Sequence, residues 1–513
     1  MARHVLGIDA GTESFRAGVF DRSGKCLGFG VSPNRTVHRH PGWAEQSPRD
    51  WDIALVDCIR RALQESRVTG SDIAGIGVDG TSCTVVFLDG TGEPLRDALM
   101  WMDIRAVKEA ADAAATGDPA LRYVGGGNVS AEWFPCKTAW VKRNEPEVYA
   151  KARTVFEQTD WLALKLTGET TANIDTTTIR WFYNINEGGF PVSLYRAMGL
   201  EELLNKVPSR IVKIGETVGG LTREMAEKTG LAEGTPVAGG GADAFIGVIG
   251  INALRPGTAA LITGSSHLVI GITEKEIHAR GLFGSYPDAL LPGLQVIEGG
   301  QVSTGSVVHW FTSGFVGADI AAQAAARKCS VYDVLNGQAA AIPPGSEGLI
   351  VLEHWQGNRT PWTDPLSRGV IRGLTLSHTP AHVYRAILEG VAYGTEVILR
   401  RMAKEGVRLD SLIACGGATQ SDLWMQIHSD VSGTRIGIPE EQQAVTLGSA
   451  IAAAVAAGLH RDLTTAADAM VRVLRWVEPE LGAHERYREL VGQYEDTYEC
   501  LKDASHRLVA SLG

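Results

Sequence analysis

The sequence lacks a CxxC motif, an HExxH motif and a hydrophobic run long enough to span a membrane. Its seven cysteines are scattered and odd in number, which predicts reduced thiols in a cytoplasmic protein. His38 and His40 have the spacing of metal ligands, but they lie in a polar loop beside Pro41. The apolar run 444–459 is short and rich in alanine and glycine, so we interpret it as a closely packed helix. No signal peptide is visible before the first predicted strand, and we expect no membrane partner.

An excess of basic residues is also missing. The formal net charge is −11, whereas nucleic-acid-binding proteins carry a basic surface. The sequence contains neither GxxxxGK[ST] nor a GxGxxG that opens a helix, which argues against a P-loop or a dinucleotide-binding fold. We therefore expect no nucleic-acid partner. A nucleotide is still compatible with this charge, because it needs only a local cluster of hydrogen-bond donors.

A phosphate-loop pattern occurs twice, about half a chain apart. The segments VLGIDAGTESFRAGVFD (5–21) and AALITGSSHLVIGI (259–272) each predict a strand, a tight turn of Gly, Ser and Thr, and a second strand. Such turns direct backbone N–H groups and hydroxyls at one point, which suits phosphate oxygens. Asp9, at the end of the first strand, adds a carboxylate that can hold Mg²⁺ directly or through water. Either turn alone is more typical of an ordinary hairpin, so it is the pairing of the two turns, with Asp9 leading the first, that favours a nucleotide.

Length and patterning predict two α/β domains. The 513 residues are too many for one core and suit two domains, which we assign to 1–252 and 253–513. This plan is typical of actin-like (ribonuclease H-like) ATPase domains flanking a cleft, as in sugar kinases, actin and heat-shock chaperones. It leaves open a kinase and a filament or chaperone ATPase that phosphorylates nothing. The longer predicted helices cover 48–67, 103–115, 380–403, 444–458 and 482–507.

Three further stretches bear on this choice. Asp243 follows three glycines in GGGADAFIG (239–247) and is predicted at a helix N-terminus, where the helix dipole favours its anionic form. It is there either a helix cap or the base that accepts the proton of a substrate hydroxyl attacking a γ-phosphoryl group. The pair Gly416-Gly417 either forms a plain turn or lets the backbone approach a flat ring or ribose. The stretch 354–374 is too polar for a core, but its residues do not indicate a chemistry.

These stretches together resemble the FGGY carbohydrate kinases, and within them the ribulokinase branch, over nearly the whole chain. The segments LMWMDIRA (99–106), SAEW (130–133) and GNRTP (357–361) resemble pentulose kinases more than glycerol kinases. The resemblance implies a kinase that uses ATP and Mg²⁺ on a small-molecule sugar, and we expect a homodimer. The other segments that carry it are GIDAGTESFRAGVFD, GVDGTSCT (77–84), GGNVSAEWFPCK (126–137), GGGADAFIG, TGSSH (263–267), EGGQVSTG (298–305), WQGNRTPWTDPLSRG (355–369) and CGGATQSDLWMQIHSDV (415–431).

The same resemblance implies roles for individual residues. Asp243 matches the catalytic base and Asp9 the Mg²⁺ carboxylate. Asp79, in the GVDGTS turn beside the cleft, is either structural or in contact with the sugar. Positions that match the ATP and phosphate site are Asp9, Gly11, Thr12, Ser14, Thr263, Gly264, Ser265, Gly416, Gly417 and Ala418, of which Ala418 departs from the more usual glycine. Positions that match the ketose site are Trp101, Asp103, Glu132, Asp243, Glu298 and Arg180, the last standing where arabinose-pathway ribulokinases have a lysine.

The implied pocket is acidic and carries an indole, which suits a neutral polyhydroxylated sugar. We expect phosphorylation of the terminal hydroxyl of a ketopentose, with ribulose first. Xylulose, a tetrulose and a polyol such as erythritol, a pentitol or glycerol are alternatives, because one pocket residue can change the stereochemistry that is accepted. An actin- or chaperone-like ATPase without sugar kinase activity is the alternative of a different class.

Overall fold

The computed structural model describes residues 4–126 and 129–511. The strands are β1 (His4–Ala10), β2 (Ser14–Phe20), β3 (Cys26–Pro33), β4 (Glu45–Gln46), β5 (Ile73–Gly80), β6 (Val85–Leu88), β7 (Ala98–Leu99), β8 (Thr154–Glu157), β9 (Ala172–Asn173), β10 (Ile211–Val212), β11 (Thr217–Gly220), β12 (Pro236–Ala238), β13 (Gly241–Ala242), β14 (Gly257–Thr263), β15 (His267–Thr273), β16 (Phe283–Pro287), β17 (Gln295–Gln301), β18 (Ile350–Leu352), β19 (Val370–Arg372), β20 (Leu409–Gly416), β21 (Ile436–Pro439) and β22 (Val473–Val477). The helices are α1 (Pro48–Ser66), α2 (Val107–Ala115), α3 (Phe134–Asn144), α4 (Pro146–Lys151), α5 (Gln158–Thr167), α6 (Ile174–Arg180), α7 (Val192–Ala197), α8 (Arg223–Thr229), α9 (Asp243–Gly250), α10 (Gly305–Gly314), α11 (Ala318–Arg327), α12 (Val331–Ala340), α13 (Pro380–Lys404), α14 (Asp422–Ser432), α15 (Ala444–Ala456), α16 (Leu463–Met470) and α17 (Leu481–Ala510).

Two large sheets share one plan. The first has the order β11-β12-β5-β1-β2-β3, with β13 also paired to β5, and the second has the order β16-β17-β15-β14-β20-β21-β22. In the first sheet β1 is antiparallel to β2 and parallel to β5. In the second sheet β14 is antiparallel to β15 and parallel to β20. The two predicted phosphate turns therefore join equivalent strands, and the predicted α/β class is confirmed.

Helix α15, predicted as a closely packed helix, lies against β1 and β5 of the first sheet and against α9. Its small side chains let backbone approach backbone. A Cβ atom at Gly77 of β5 would lie 1.8 Å from the carbonyl oxygen of Ser449, and one at Gly448 would lie 2.1 Å from that of Ile246 in α9. Only glycine fits at such contacts, so the glycine and alanine content of this segment reflects tight packing. Within the described ranges, no helix is both long and apolar enough to cross a membrane.

The predicted helix at 103–115 begins only at Val107, and this part of the prediction is wrong. Asp103 and Arg105 instead form a turn in which Arg105 donates to both oxygens of the Asp103 carboxylate, at 2.7 to 3.0 Å. The backbone N–H of Ala44 also donates to Asp103, at 2.7 Å. A contact with a residue 59 positions away therefore decides this turn, and sequence periodicity cannot detect it. The other long helices, α1, α13, α15 and α17, lie within three residues of their predicted bounds.

Glu157, at the end of β8, is a fully buried carboxyl group in the core of the first half. Burial raises its pKa from 4.5 to about 8, and its Oε1 accepts a hydrogen bond from Trp181 Nε1 at 2.8 Å. A pKa raised on folding contributes stability that is fully present below about 4.5 and is lost as the pH rises through about 8.

We expect Glu157→Gln to flatten the pH dependence of stability. Glutamine keeps the acceptor for Trp181 but does not ionise, so the variant's unfolding free energy relative to the parent should rise by about 1.4 kcal/mol per pH unit between pH 5 and pH 8. Chemical unfolding at four pH values measures this, with Glu224→Gln on the surface of α8 as the control. Identical pH dependence in Glu157→Gln and parent would contradict it.

Candidate active site

Three carboxylates converge at one edge of the first sheet. Asp9 of β1 and Asp79 of β5 are direct partners in a parallel pair, so these two buried side chains lie on the same face of the sheet as neighbours. Strand β13 pairs with Asp79 and Gly80 of β5, so Asp243, the next residue, follows at the same edge. Parallel strands present their carboxyl ends together, which brings these distant residues into one site.

Burial controls the protonation of this cluster. It raises the pKa of Asp79 well above its ordinary value, and the neighbouring Asp9 raises it further. Burial is also the main cause that raises the pKa of Asp243 to about 7, followed by repulsion from Asp9. The net pKa of Asp243 is therefore raised although the residue stands at a helix N-terminus, because desolvation is the largest effect on it. A carboxyl group with a pKa near 7 is suited to accepting a proton at neutral pH.

Arg16 is a cation of this site that sequence reasoning missed. It is the cross-strand partner of Asp9 in the β1–β2 hairpin, and its Nη1 lies 3.2 Å from Asp9 Oδ2. Its side chain is 41% exposed, so the guanidinium remains open to a ligand. The sequence could have predicted this contact from the hairpin register, because a tight turn after Asp9 brings Arg16 on the second strand opposite Asp9.

The first phosphate turn connects β1 to β2 and includes Gly11 and Thr12, while Ser14 lies buried at the start of β2. Trp101 Nε1 donates a hydrogen bond to Thr12 Oγ1 at 2.9 Å, which places the half-exposed indole beside this turn. The structure thus brings the predicted sugar residue Trp101 next to the predicted phosphate turn.

The second phosphate turn is tied to the Gly416-Gly417 turn. Thr263 is buried, and its Oγ1 donates to the Cys415 carbonyl at 2.7 Å and accepts from the Ala418 N–H at 3.1 Å. This hydroxyl therefore joins two turns and is not open to a ligand, and the Ala418 N–H is already used. Gly264 and Ser265 lie exposed in the turn between β14 and β15.

A cavity of about 540 Å³ opens between these turns, of a size suited to a nucleoside. Sequence reasoning missed three polar residues that line this cavity: Asn336, Tyr384 and Ser421. Asn336 Oδ1 accepts hydrogen bonds from Tyr384 OH at 3.0 Å and from Ser421 Oγ at 3.1 Å. They come from α12, α13 and the start of α14, which are far apart in sequence. Other residues that line the cavity are Gly264, Gly305, Ser330, Tyr332, Gly417, Ala418 and Trp424.

An ion pair joins the two halves of the sequence on the sugar side. Arg180, the last residue of α6, donates from Nη2 to Glu298 Oε1 of β17 at 2.8 Å and from Nη1 to Tyr286 OH at 3.1 Å. Glu298 Oε2 is buried and has no hydrogen-bond partner in the described part of the chain. This orphan acceptor indicates a site where a ligand donor would be stabilised.

Asp175 of α6 is an acid beside this site that the sequence analysis did not single out. It is fully buried, its Oδ1 accepts from the Ala242 N–H at 2.7 Å, and burial raises its pKa to about 8. Because Ala242 directly precedes Asp243, this bond fixes the entry to α9 and so the place of Asp243.

The structure separates Asp103 from the rest of the predicted sugar set. Asp103 is fully buried and its oxygens accept from Arg105 and Ala44, so it fixes the turn that carries Trp101 and does not face the cleft. Glu132 is half-buried, with only a weak contact from Ser130 Oγ at 3.4 Å. Gly127 and Asn128 of the GGNVSAEW segment lie outside the described residues.

The family models of the FGGY carbohydrate kinases match this chain over residues 4–250, with their N-terminal domain, and over 259–457, with their C-terminal domain. The chain belongs to this family.

Individual relatives agree with this assignment. The chain is 35% identical to a ribulokinase of Geobacillus thermodenitrificans, covering 89% of this chain and 86% of that one. It is 31% identical to a human FGGY carbohydrate kinase domain-containing protein, with 93% of each covered. The solved xylulose kinase of Rhodospirillum rubrum is 28% identical, with a TM-score of 0.86, 98% of this chain covered and 100% of that one.

Membership in the FGGY family settles the class of activity. The two sheets are those of a two-domain actin-like, ribonuclease H-like ATPase fold. The protein is an ATP-dependent sugar phosphotransferase, and the alternative of an actin- or chaperone-like ATPase without kinase activity is set aside.

The donor set of this FGGY site fits Mg²⁺. Asp9 and Asp243 offer carboxylate oxygens beside the phosphate turn, and Mg²⁺ usually binds through one or two carboxylates, waters and substrate phosphates. Among residues 4–126 and 129–511, no group of three or more acids, histidines or cysteines forms a closed protein cage for a metal.

The structure also explains the polar stretch at 354–374. Thr360 pairs with Gly300, accepting from the Gly300 N–H at 3.1 Å and donating its own N–H to the Gly300 carbonyl at 3.2 Å. Its Oγ1 also donates to the Gly281 carbonyl at 2.7 Å. These bonds hold β17 two residues beyond Glu298, so the stretch supports the sugar side of the site.

Proposed function

We propose that this FGGY kinase phosphorylates the terminal hydroxyl of a ketopentose, with ribulose as the first candidate. The observation that carries the proposal is Glu298, whose buried second oxygen has no donor among the described residues while Arg180 fixes the first. A neutral sugar hydroxyl can donate to that oxygen, whereas an anionic sugar would meet repulsion from the surrounding acids. Similarity to proteins named ribulokinase, at 32 to 35% identity, supports the choice of a ketopentose.

Asp243 is the proposed general base. As the sugar hydroxyl oxygen bonds to the γ-phosphorus, the bond from that phosphorus to the β–γ bridging oxygen breaks, the hydroxyl proton passes to Asp243, and ADP leaves. Asp9 is the proposed ligand of Mg²⁺, which when bound neutralises phosphate charge. Most of the rate would come from positioning and charge neutralisation.

The phosphates are assigned to both turns. Gly11, Thr12 and Ser14 on one side and Gly264 and Ser265 on the other are proposed to supply backbone and hydroxyl donors, while Thr263 acts by holding the second turn in place. We add Arg16 as a phosphate contact because its guanidinium is exposed beside Asp9. The adenosine is assigned to the cavity at Gly416, Gly417 and Ala418, and the sugar to Trp101, Glu132, Asp243, Glu298 and Arg180. We also propose that residues 1–252 and 253–513 form the two domains, in line with the two family models. We propose that the protein is cytoplasmic and forms a homodimer. Light scattering in solution would check the dimer.

A substrate screen tests the ketopentose assignment. We expect the highest kcat/KM on one enantiomer of ribulose, with weaker rates on xylulose, erythrulose, erythritol, the pentitols and glycerol. A misplaced hydroxyl that leaves Glu298 unpaired should cost about 1–3 kcal/mol, or roughly 5- to 150-fold in kcat/KM. Glu298→Gln should reduce this discrimination among the sugars. A best kcat/KM on glycerol or an aldohexose, with ketopentoses inert, would refute the ribulose proposal and leave the kinase class intact.

A further inference from the structure

A serine from the second half of the sequence reaches the catalytic carboxylates. Ser449, in the middle of α15, donates from Oγ to Asp79 Oδ2 at 2.6 Å, and both side chains are fully buried. The two residues are 370 positions apart. Ser449 cannot move away easily, because its backbone carbonyl packs directly against Gly77 of β5.

This hydrogen bond is what orients Asp79. The other oxygen, Oδ1, is buried and has no hydrogen-bond partner in the described ranges. Asp79 is the direct register partner of Asp9 in the parallel β1–β5 pair, and both side chains are buried. Without the serine hydroxyl, both oxygens of Asp79 would be unpaired, and the group could rotate against Asp9.

We propose that Ser449 is a positioning residue that holds Asp79, and through it sets the Asp9 carboxylate toward the magnesium–nucleotide complex. The inference rests on the proposed role of Asp9. It assigns Asp79 a function that the sequence left open, as a support behind Asp9 and not as a contact to the sugar. Helix α15 thereby contributes to a site otherwise built on the first sheet.

Ser449→Ala tests the inference, because alanine fits wherever serine does and removes only the hydroxyl. We expect the Kd for Mg·ADP, measured by calorimetry without sugar, to rise about 3- to 10-fold. The Mg²⁺ concentration for half-maximal rate should rise by a similar factor, while the KM for the sugar stays within twofold of the parent. Ser429→Ala is the matched control, since Ser429 of α14 is equally buried but donates to the backbone carbonyls of Thr434 and Val477.

A second variant tests whether Ser449 acts through Asp79. In an Asp79→Ala background, adding Ser449→Ala should change the Kd for Mg·ADP by less than twofold, because the residue it positions is gone. If each substitution raised the Kd for Mg·ADP by its own factor and the two factors multiplied in the double variant, the proposal would be overturned. So would a Ser449→Ala protein whose thermal midpoint falls while its Mg·ADP affinity matches the parent. Binding of Mg·ADP is measured without sugar, so a wrong sugar assignment would not affect this result.

Discussion

Asp243→Asn is expected to lower kcat by roughly 10²- to 10⁴-fold, which corresponds to about 3–5 kcal/mol in the activation barrier. Asparagine keeps the acceptor for the Ala244 N–H, which lies 2.7 Å from Asp243 Oδ1, but it cannot take the hydroxyl proton. Binding of ATP and sugar should be nearly unchanged. Burial and Asp9 raise the pKa of Asp243 to about 7, so its anion destabilises the fold above that pH, and the neutral variant should be at least as stable as the parent at pH 8.

The measurement is steady-state kinetics with the best sugar, together with the thermal midpoint of each protein. Asp160→Asn is the control, because Asp160 is also a buried acid but its hydrogen-bond partners are Asn173 and Glu157. We expect that variant to keep its turnover within a few-fold. An Asp243→Asn enzyme with nearly parental kcat would exclude Asp243 as the base.

Gly416→Ala is expected to lower the free energy of unfolding by roughly 2–5 kcal/mol, from backbone strain and overpacking together. Gly416 has φ 94° and ψ −171°, a conformation that is essentially restricted to glycine. An added Cβ atom would lie 1.9 Å from the carbonyl oxygen of Thr263, the residue that joins this turn to the second phosphate turn. The substitution should therefore separate the two turns, which thermal unfolding and the KM for ATP both report.

Gly417→Ala is the matched comparison one residue further on. Among the described residues, a Cβ atom there meets no atom within 4 Å, and Gly417 lines the cavity to which we assign the adenosine. We expect an unchanged thermal midpoint but a KM for ATP raised about tenfold, because the methyl group would occupy nucleotide space. Equal stability of the two variants would contradict the geometry of the turn. An unchanged KM for ATP in Gly417→Ala would contradict the adenosine assignment.

Local elements were well predicted where they depend on neighbouring residues. Helix α1 was predicted at 48–67 and covers Pro48–Ser66, with proline at its first position. The first hairpin was expected within residues 5–21 and is formed by β1 and β2. The alanine- and glycine-rich run 444–459 was correctly interpreted as packed helix. Periodicity and turn residues act over a few positions, so the sequence contains this information directly.

Contacts between distant segments were not predictable in the same way. The turn at Asp103 was wrongly predicted as part of a helix, because Ala44, which donates to Asp103, lies on a distant segment. Arg16, Asn336 and Asp175 were missed, since each gains its role from a strand or helix that only the fold brings near. The roles of Asp243, Asp9 and the phosphate turns, by contrast, were inferred from motifs and stay predictions that the kinetics above would check.

The sequence by itself determined the class of this protein: its segments are specific to FGGY carbohydrate kinases, and hydrophobic patterning predicts two α/β halves. Only the tertiary structure decided which side chains are open to ligands. The side chains of Thr263 and Asp103 can both form hydrogen bonds, but in the fold they already bond to other protein groups. Glu298, by contrast, has a buried oxygen without a partner in the part of the chain that the structure describes. The pKa of Asp243 likewise follows from burial beside Asp9 and not from its position at a helix end. Desolvation and hydrogen-bond pairing are properties of the space around a group, and that space is formed by residues hundreds of positions apart.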